Sequence, residues 1–149
     1  SKDTLNKIGV LIENPAFIPE YSAFKNLKVL ASINSKVTDD EIKEVLEQVG
    51  LDPNEKKIYK KFSLGMKQKL GIANAVMGSP KVVLLDEPIN AIDENGVENV
   101  RKIIAKLKEK GSIIIVACHD KEELEFLSDE IYTIFEGKIV DHRSLNENE

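Results

Sequence analysis

Residues 81–93, K-V-V-L-L-D-E-P-I-N-A-I-D, leave this chain few folds to choose from. Four consecutive apolar residues, Val82 to Leu85, run into Asp86 and Glu87, and Pro88 closes the run. Apolar and polar residues do not alternate, so both faces of the segment are expected to be buried. A short Val- and Leu-rich run ended by a turn signal suits a central strand of a parallel sheet. Open α/β sheets bind ligands beyond the carboxyl ends of their strands. Asp86 and Glu87 are therefore expected at the mouth of a site. One carboxylate there can hold Mg2+ through its waters, and a second can orient or deprotonate an attacking water. The plain alternative is a buried strand followed by a solvated turn, and the neighbouring segments decide between them.

The 149 residues suit about one domain. A net charge of −5 gives no basic footprint for nucleic acid. No apolar run reaches the length of a membrane span, and no signal peptide opens the sequence. The single Cys118 cannot form an internal disulfide, which suits a reducing cytosol, and at the end of an apolar run it reads as a small buried hydrophobe. His119 and His142 lack nearby Cys or paired His, so no structural metal site is expected.

Along the chain, residues 7–12 (K-I-G-V-L-I) read as a strand, and Glu13 follows at its tip. The pattern then turns helical. Residues 23–33 carry Phe24, Leu27, Leu30 and Ala31 at spacings of three and four. In residues 38–49, Thr38 and Glu41 form a capping box, Ile42, Val45, Leu46 and Val49 make one apolar stripe, and Gly50 supplies the stop. Lys56, Lys57, Lys60 and Lys61 surround Tyr59 and read as a solvated face, or as an attractor for nucleotide if a phosphate site lies nearby. Ser63 is an N-cap for a helix whose buried stripe is Leu70, Ala73, Val76 and Met77. The same N-terminus, with free amides, a hydroxyl and the side-chain-free Gly65, has the makings of an anion site, and Gly is otherwise a poor choice in a first turn.

After Asp93 a helix runs to Lys110 with Val97, Val100, Ile103, Ile104 and Leu107 inward. Residues 112–118 read as a second buried strand with His119 at its end, and Asp120 with Glu123 as a second capping box. Residues 130–135 and 138–140 form a hairpin around Glu136-Gly137, and the polar tail from Asp141 is expected to fray. His119, Glu13, Asp86 and Glu87 are thus expected to converge on one sheet edge, and that convergence argues for a site.

The order of these motifs resembles the ATP-binding subunits of ABC transporters, over most of the chain from Ile8 to Val140. V-V-L-L-D-E-P is similar to the Walker B element, and I-N-A-I-D to the D-loop. F-S-L-G-M-K-Q-K-L, residues 62–70, is similar to the signature motif. I-G-V-L-I-E, residues 8–13, resembles the strand entering the Q-loop, and C-H-D, residues 118–120, matches the switch histidine. The resemblance implies an α/β fold: a partial P-loop NTPase (RecA-like) core with an inserted ABC helical subdomain. Residues 1–13 would be a core strand and the start of the Q-loop, 14–79 the helical subdomain, 80–140 the rest of the core, and 141–149 a polar tail. It implies ATP and Mg2+ as ligands. Asp86 would hold Mg2+ through water, Glu87 would be the general base, and His119 would contact the γ-phosphate. Asp93 would work across a dimer interface, Ser63 and Gly65 would touch nucleotide on the opposite subunit, and Glu13 would fill the Q-loop position. The usual L-S-G-G-Q is here F-S-L-G-M, and Glu13 stands where Gln is usual; a carboxylate accepts but cannot donate.

The implied function is ATP hydrolysis coupled to transport through a transmembrane permease subunit, by a head-to-tail homodimer or heterodimer on the cytoplasmic face of the cell membrane. I-E-N-P, S-L-G-M-K-Q and N-A-I-D look most like exporters of bacitracin- and lantibiotic-type peptides. No G-x-x-x-x-G-K-[ST] phosphate loop occurs in these 149 residues. On the resemblance Ser1 is then a truncation point, the sheet has an unpaired edge that favours self-association, and these residues alone neither bind ATP tightly nor hydrolyse it. Two rivals follow. A DNA-repair or chromosome-structure ATPase would need long heptad arms that the interval from Glu13 to Ser63 lacks. A non-catalytic docking module is favoured by the missing loop and opposed by Asp86, Glu87 and His119.

Overall fold

The computed structural model describes residues 8–13, 15–34 and 36–145. Lys7 of the expected first strand, residues 1–6, Asn14 and the last four residues of the expected tail lie outside them. The chain divides into two compact units, residues 1–117 and 118–149.

In the first unit, β1 (Ile8–Leu11), β2 (Val82–Asp86) and β3 (Ile113–Ala117) form a parallel sheet in the order β1-β2-β3. Ile8 pairs with Val82, Leu11 with Leu85, and Asp86 with Ala117. The central position expected for the 82–85 run holds within these three strands. The expectation that both faces are buried does not. Val83 and Leu85 are buried, whereas Val82 and Leu84 are only half-buried. Residues 112–118, expected as a buried strand, give a β3 whose Ile113 and Ile115 are 63% and 58% exposed. The reason is the placement of the helices. Helix α3 (Leu64–Val76) lies on one face only, where Gly9 and Gly71 let the backbones approach. A Cβ on Gly9 would overlap the Ala75 carbonyl oxygen, and one on Gly71 would lie 2.7 Å from Leu11 Cδ1.

α3 buries more than the stripe its spacing predicts. Leu70, Gly71, Ile72, Ala73, Ala75 and Val76 are all buried, and Met77 is half-buried. It is enclosed by the sheet on one side and by α1 (Ala23–Asn34) and α2 (Asp39–Gln48) on the other. From Leu70 to Val76 only Asn74 is not buried, so this half of the helix is packed nearly all round. α2 starts as its sequence requires: Thr38 Oγ1 accepts from the Glu41 amide at 3.2 Å, and the Thr38 amide donates to Glu41 Oε2 at 2.8 Å. Gly50 follows with φ +84°, the left-handed stop.

In α1 the buried Asn26 ties down residues 18–22, which no periodicity announces. Its Oδ1 accepts from the Ile18 amide at 2.7 Å, and its Nδ2 donates to the carbonyls of Ile18, Tyr21 and Ser22. Tyr59 packs between Phe17 and Phe62 with ring centroids 5.3 and 5.6 Å away, and burial raises its pKa. The four lysines around it are exposed, as a solvated face should be. Helix α4 (Glu94–Glu109) turns Val100, Ile103, Ile104 and Leu107 inward and leaves Val97 half-buried.

In the second unit, Asp120 caps α5 (Lys121–Leu127), its Oδ1 accepting from the Glu123 amide at 3.1 Å. The Asp120 amide donates to Cys118 Sγ at 3.4 Å. β4 (Glu130–Phe135) and β5 (Lys138–Ser144) form the expected hairpin. Glu136 and Gly137 both have positive φ, +49° and +75°, which matches the twist of the strands they join. The expected fraying from Asp141 is corrected: β5 continues to Ser144, which pairs with Glu130. Backbone pairing does not depend on side-chain polarity. The polar residues also find partners, His142 stacking on Tyr132 at 4.2 Å and Arg143 reaching Glu125 at 3.2 Å.

Candidate functional site

β2 delivers two carboxylates to the carboxyl edge of the sheet. Asp86, its last residue, is exposed, and Glu87 is half-buried. At Glu87 the backbone leaves the strand in the left-handed region, φ +47°, which a residue with a Cβ adopts at a cost of roughly 1–2 kcal/mol. Several bonds hold it there. The Glu87 amide donates to the Ala117 carbonyl at 2.7 Å, and its own carbonyl accepts from the Asn90 amide at 3.2 Å. The Gln68 side chain donates to the carbonyls of Glu87 (3.0 Å) and Pro88 (3.1 Å). Pro88 is fully buried. A non-glycine residue in this region, beside two acids at a strand tip, fits the pattern in which local strain collects at functional sites.

The loop continues through Ala91, also left-handed with φ +62°. It ends at Asp93, whose Oδ1 caps α4 by accepting from the Gly96 amide at 2.8 Å. Asp93 therefore has a structural duty in addition to any role at an interface.

The N-terminus of α3 lies against this loop. Ser63 is its N-cap, with Oγ accepting from the Met66 amide at 3.1 Å. A Cβ on Gly65 would stand 2.9 Å from the Ala91 carbonyl oxygen. The sequence suggested that Gly65 is there for an anion; close approach of the loop backbone is a sufficient reason by itself. Gly65 and Gln68 are three residues apart and so share a helix face, and both meet residues 87–91. The spacing places the two on one face, but only the fold shows what that face meets.

The first unit thus gathers Asp86, Glu87, the 87–91 loop, Ser63, Gly65 and Gln68. Glu13 is exposed just beyond β1. Parallel pairing of Leu11 with Leu85 sends Glu13 off the same edge as Asp86 and Glu87. His119 belongs to the second unit, directly after β3 in the chain, so its expected convergence with Glu87 remains a proposal. Among the described residues no three His, Cys, Asp or Glu side chains gather into a metal cage. An exposed Asp86 fits a different mode of binding, in which Mg2+ keeps several waters and takes substrate phosphate oxygens with one or two carboxylates. No helix among the described residues is long and apolar enough to cross a membrane.

Comparison with known proteins agrees with this geometry. Residues 1–90 match the family model described as ABC transporter. The chain is 37% identical over 143 residues to the bacitracin transport ATP-binding protein BcrA of Enterococcus faecalis, covering 95% of this chain and 46% of that protein. It is 42% identical over 140 residues to the lantibiotic transport ATP-binding protein SrtF of Streptococcus pyogenes, covering 94% and 61%. The chain thus spans about half the length of the curated relatives it matches. Among solved structures, an ATP-binding subunit of an ABC transporter superposes with a TM-score of 0.85 at 22% identity, over 97% of this chain and 61% of that one. The dimeric bacterial ABC transporter cassette MJ0796 gives 0.86 at 22% identity, over 97% and 65%.

Proposed function

The chain belongs to the ABC transporter family, and on that premise we propose that it carries the hydrolytic carboxylates and signature helix of an ATPase subunit that powers export through a membrane permease. The observation that carries the reading is Glu87. It follows the exposed Asp86 at the end of the central strand and is locked in a left-handed conformation by bonds from three directions. Bound Mg2+ would offset charge on the β- and γ-phosphate oxygens. Asp86 would accept hydrogen bonds from the metal's waters. Glu87 would accept the proton of the water that attacks the γ-phosphate. His119 would donate to a γ-phosphate oxygen. Glu13 would sit near the metal and the permease-facing surface, accepting hydrogen bonds only.

Ser63 and Gly65 would meet the nucleotide of a second subunit in a head-to-tail dimer. The Ser63 hydroxyl hydrogen is left to donate, because its oxygen is the acceptor in the cap. Leu64 beside it is 69% exposed, an apolar residue where an interface is expected. Asp93 would reach across the same interface. Export of peptide antibiotics is the substrate class, supported by what the bacitracin and lantibiotic relatives are named for. The cytoplasmic face of the membrane is the proposed location. The helical subdomain is residues 14–79, set into a RecA-like core.

Glu87→Gln, made in the protein of native length, tests the reading. The variant should bind ATP as the wild type does and lose turnover by roughly a hundredfold or more, the range for removing a general base. Wild-type turnover would remove Glu87 from that role. A native-length protein that binds no ATP at all would favour the docking-module reading.

A further inference from the structure

We propose that Gln68 is a positioning residue for Glu87, acting through the backbone. The geometry is independent of the reaction; the consequence for catalysis rests on the ATPase reading above.

The Gln68 amide faces two successive carbonyls, those of Glu87 at 3.0 Å and Pro88 at 3.1 Å. Two acceptors on one side require the nitrogen, not the oxygen, to point at them. These bonds fix the peptide plane that follows Glu87. The amide of Glu87 is held by Ala117 of the sheet, and its carbonyl is shared by the Asn90 amide within the turn. Gln68 adds a tie from outside the sheet, from α3. Left-handed backbone at a residue with a Cβ persists only when its surroundings over-determine it, and Gln68 supplies part of that determination.

The bonds also couple two elements. Gly65 lies against the Ala91 carbonyl one helical turn before Gln68. α3 therefore grips the 87–91 loop at both ends, through a backbone contact at Ala91 and an amide clamp at residues 87 and 88. The helix that begins at Ser63 cannot move without moving the backbone that carries the Glu87 carboxylate. The direction of that carboxylate thus follows the position of α3.

The test uses the protein of native length with Gln68→Leu, which keeps the bulk and removes both donors. Expected is a fall in kcat of tenfold or more, within the range for a displaced catalytic group. Affinity for a fluorescent ATP analogue should stay within about twofold, since no nucleotide contact is removed. The Asn90 amide, which donates to the Glu87 carbonyl, should exchange its hydrogen faster. In a Glu87→Gln background the same change should cost nothing further, because residues acting as a unit are non-additive. Wild-type kcat with unchanged Asn90 exchange would overturn the proposal, as would an equal loss with or without Glu87. If Gln68→Leu does not fold, Gln68→Asn, with the amide withdrawn by one methylene, is read by the same criteria. If the wild-type protein shows no turnover, the ATPase reading fails while Asn90 exchange still decides the clamp.

Discussion

The two faces of the three-stranded sheet are built from the same kinds of residue and end in opposite conditions. Gly9, Leu11, Val83 and Leu85 lie on one face, and α3 closes over them. Ile8, Val10, Val82, Leu84, Ile113 and Ile115 lie on the other, and the outer four of these are 38–63% exposed. The first face is distinguished by Gly9 and not by greater hydrophobicity. Gly9 of β1, with Gly71 and Ala75 of α3, lets the helix backbone reach the sheet.

The strongest way to break this comparison is Gly9→Val. Any side chain there meets the Ala75 carbonyl, so α3 must move off β1. The expected loss is about 3 kcal/mol or more, the upper range for overpacking, and urea unfolding measures it. A loss below about 1 kcal/mol would mean that α3 does not depend on close approach. Leu85→Ala and Ile115→Ala sharpen the contrast as a pair. Leu85 is 2% exposed, and its truncation should cost about 2–4 kcal/mol. Ile115 is 58% exposed and should cost under about 1 kcal/mol. Equal losses would show that both faces are covered in solution. A smaller effect is expected from Ile113→Thr with Ile115→Thr. Thr keeps the β-branch and lowers exposed apolar area. Stability should change little, while binding of an apolar dye and self-association at high concentration should fall.

Several elements were legible because local rules set them. Thr38 with Glu41, Ser63 and Asp93 announce helix starts, and Glu136-Gly137 announces a hairpin. Each uses a side chain or backbone preference within a few residues. The open face was not legible, because the 82–85 run has the same composition whether its second face is covered or bare. β5 ran past Val140 because residues 141–144 find backbone partners in β4, and polarity alone does not reveal pairing. At the site, Asp86 and Glu87 were readable as acids at a strand tip. The left-handed Glu87, the Gln68 clamp and the reason for Gly65 were not, since all three depend on the 87–91 loop meeting a helix about twenty residues upstream. Asn26 hid for a related cause: in sequence it is one polar residue in a helix, and only the fold brings the 18–22 backbone within its reach.

The smallest effect asks how far closure extends outward from the sheet. Tyr59 lies between Phe17 and Phe62, with Lys67 Nζ 5.1 Å from its ring centroid. Burial raises its pKa above the ordinary value of about 10. Desolvation penalises the phenolate, so the folded state holds the proton longer than the unfolded state does. The unfolded chain then binds fewer protons once the pH exceeds its own pKa, and stability falls with further rise. The contribution is full below about pH 10 and is lost as the pH climbs through the raised folded value. Tyr59→Phe removes the group and keeps the ring contacts. Its stability should therefore decline less steeply than the wild type's above pH 10, while the two curves run parallel at neutral pH. Identical slopes in alkali would place the Tyr59 hydroxyl in water, and the aromatic layer would then be an open fringe of the closed side.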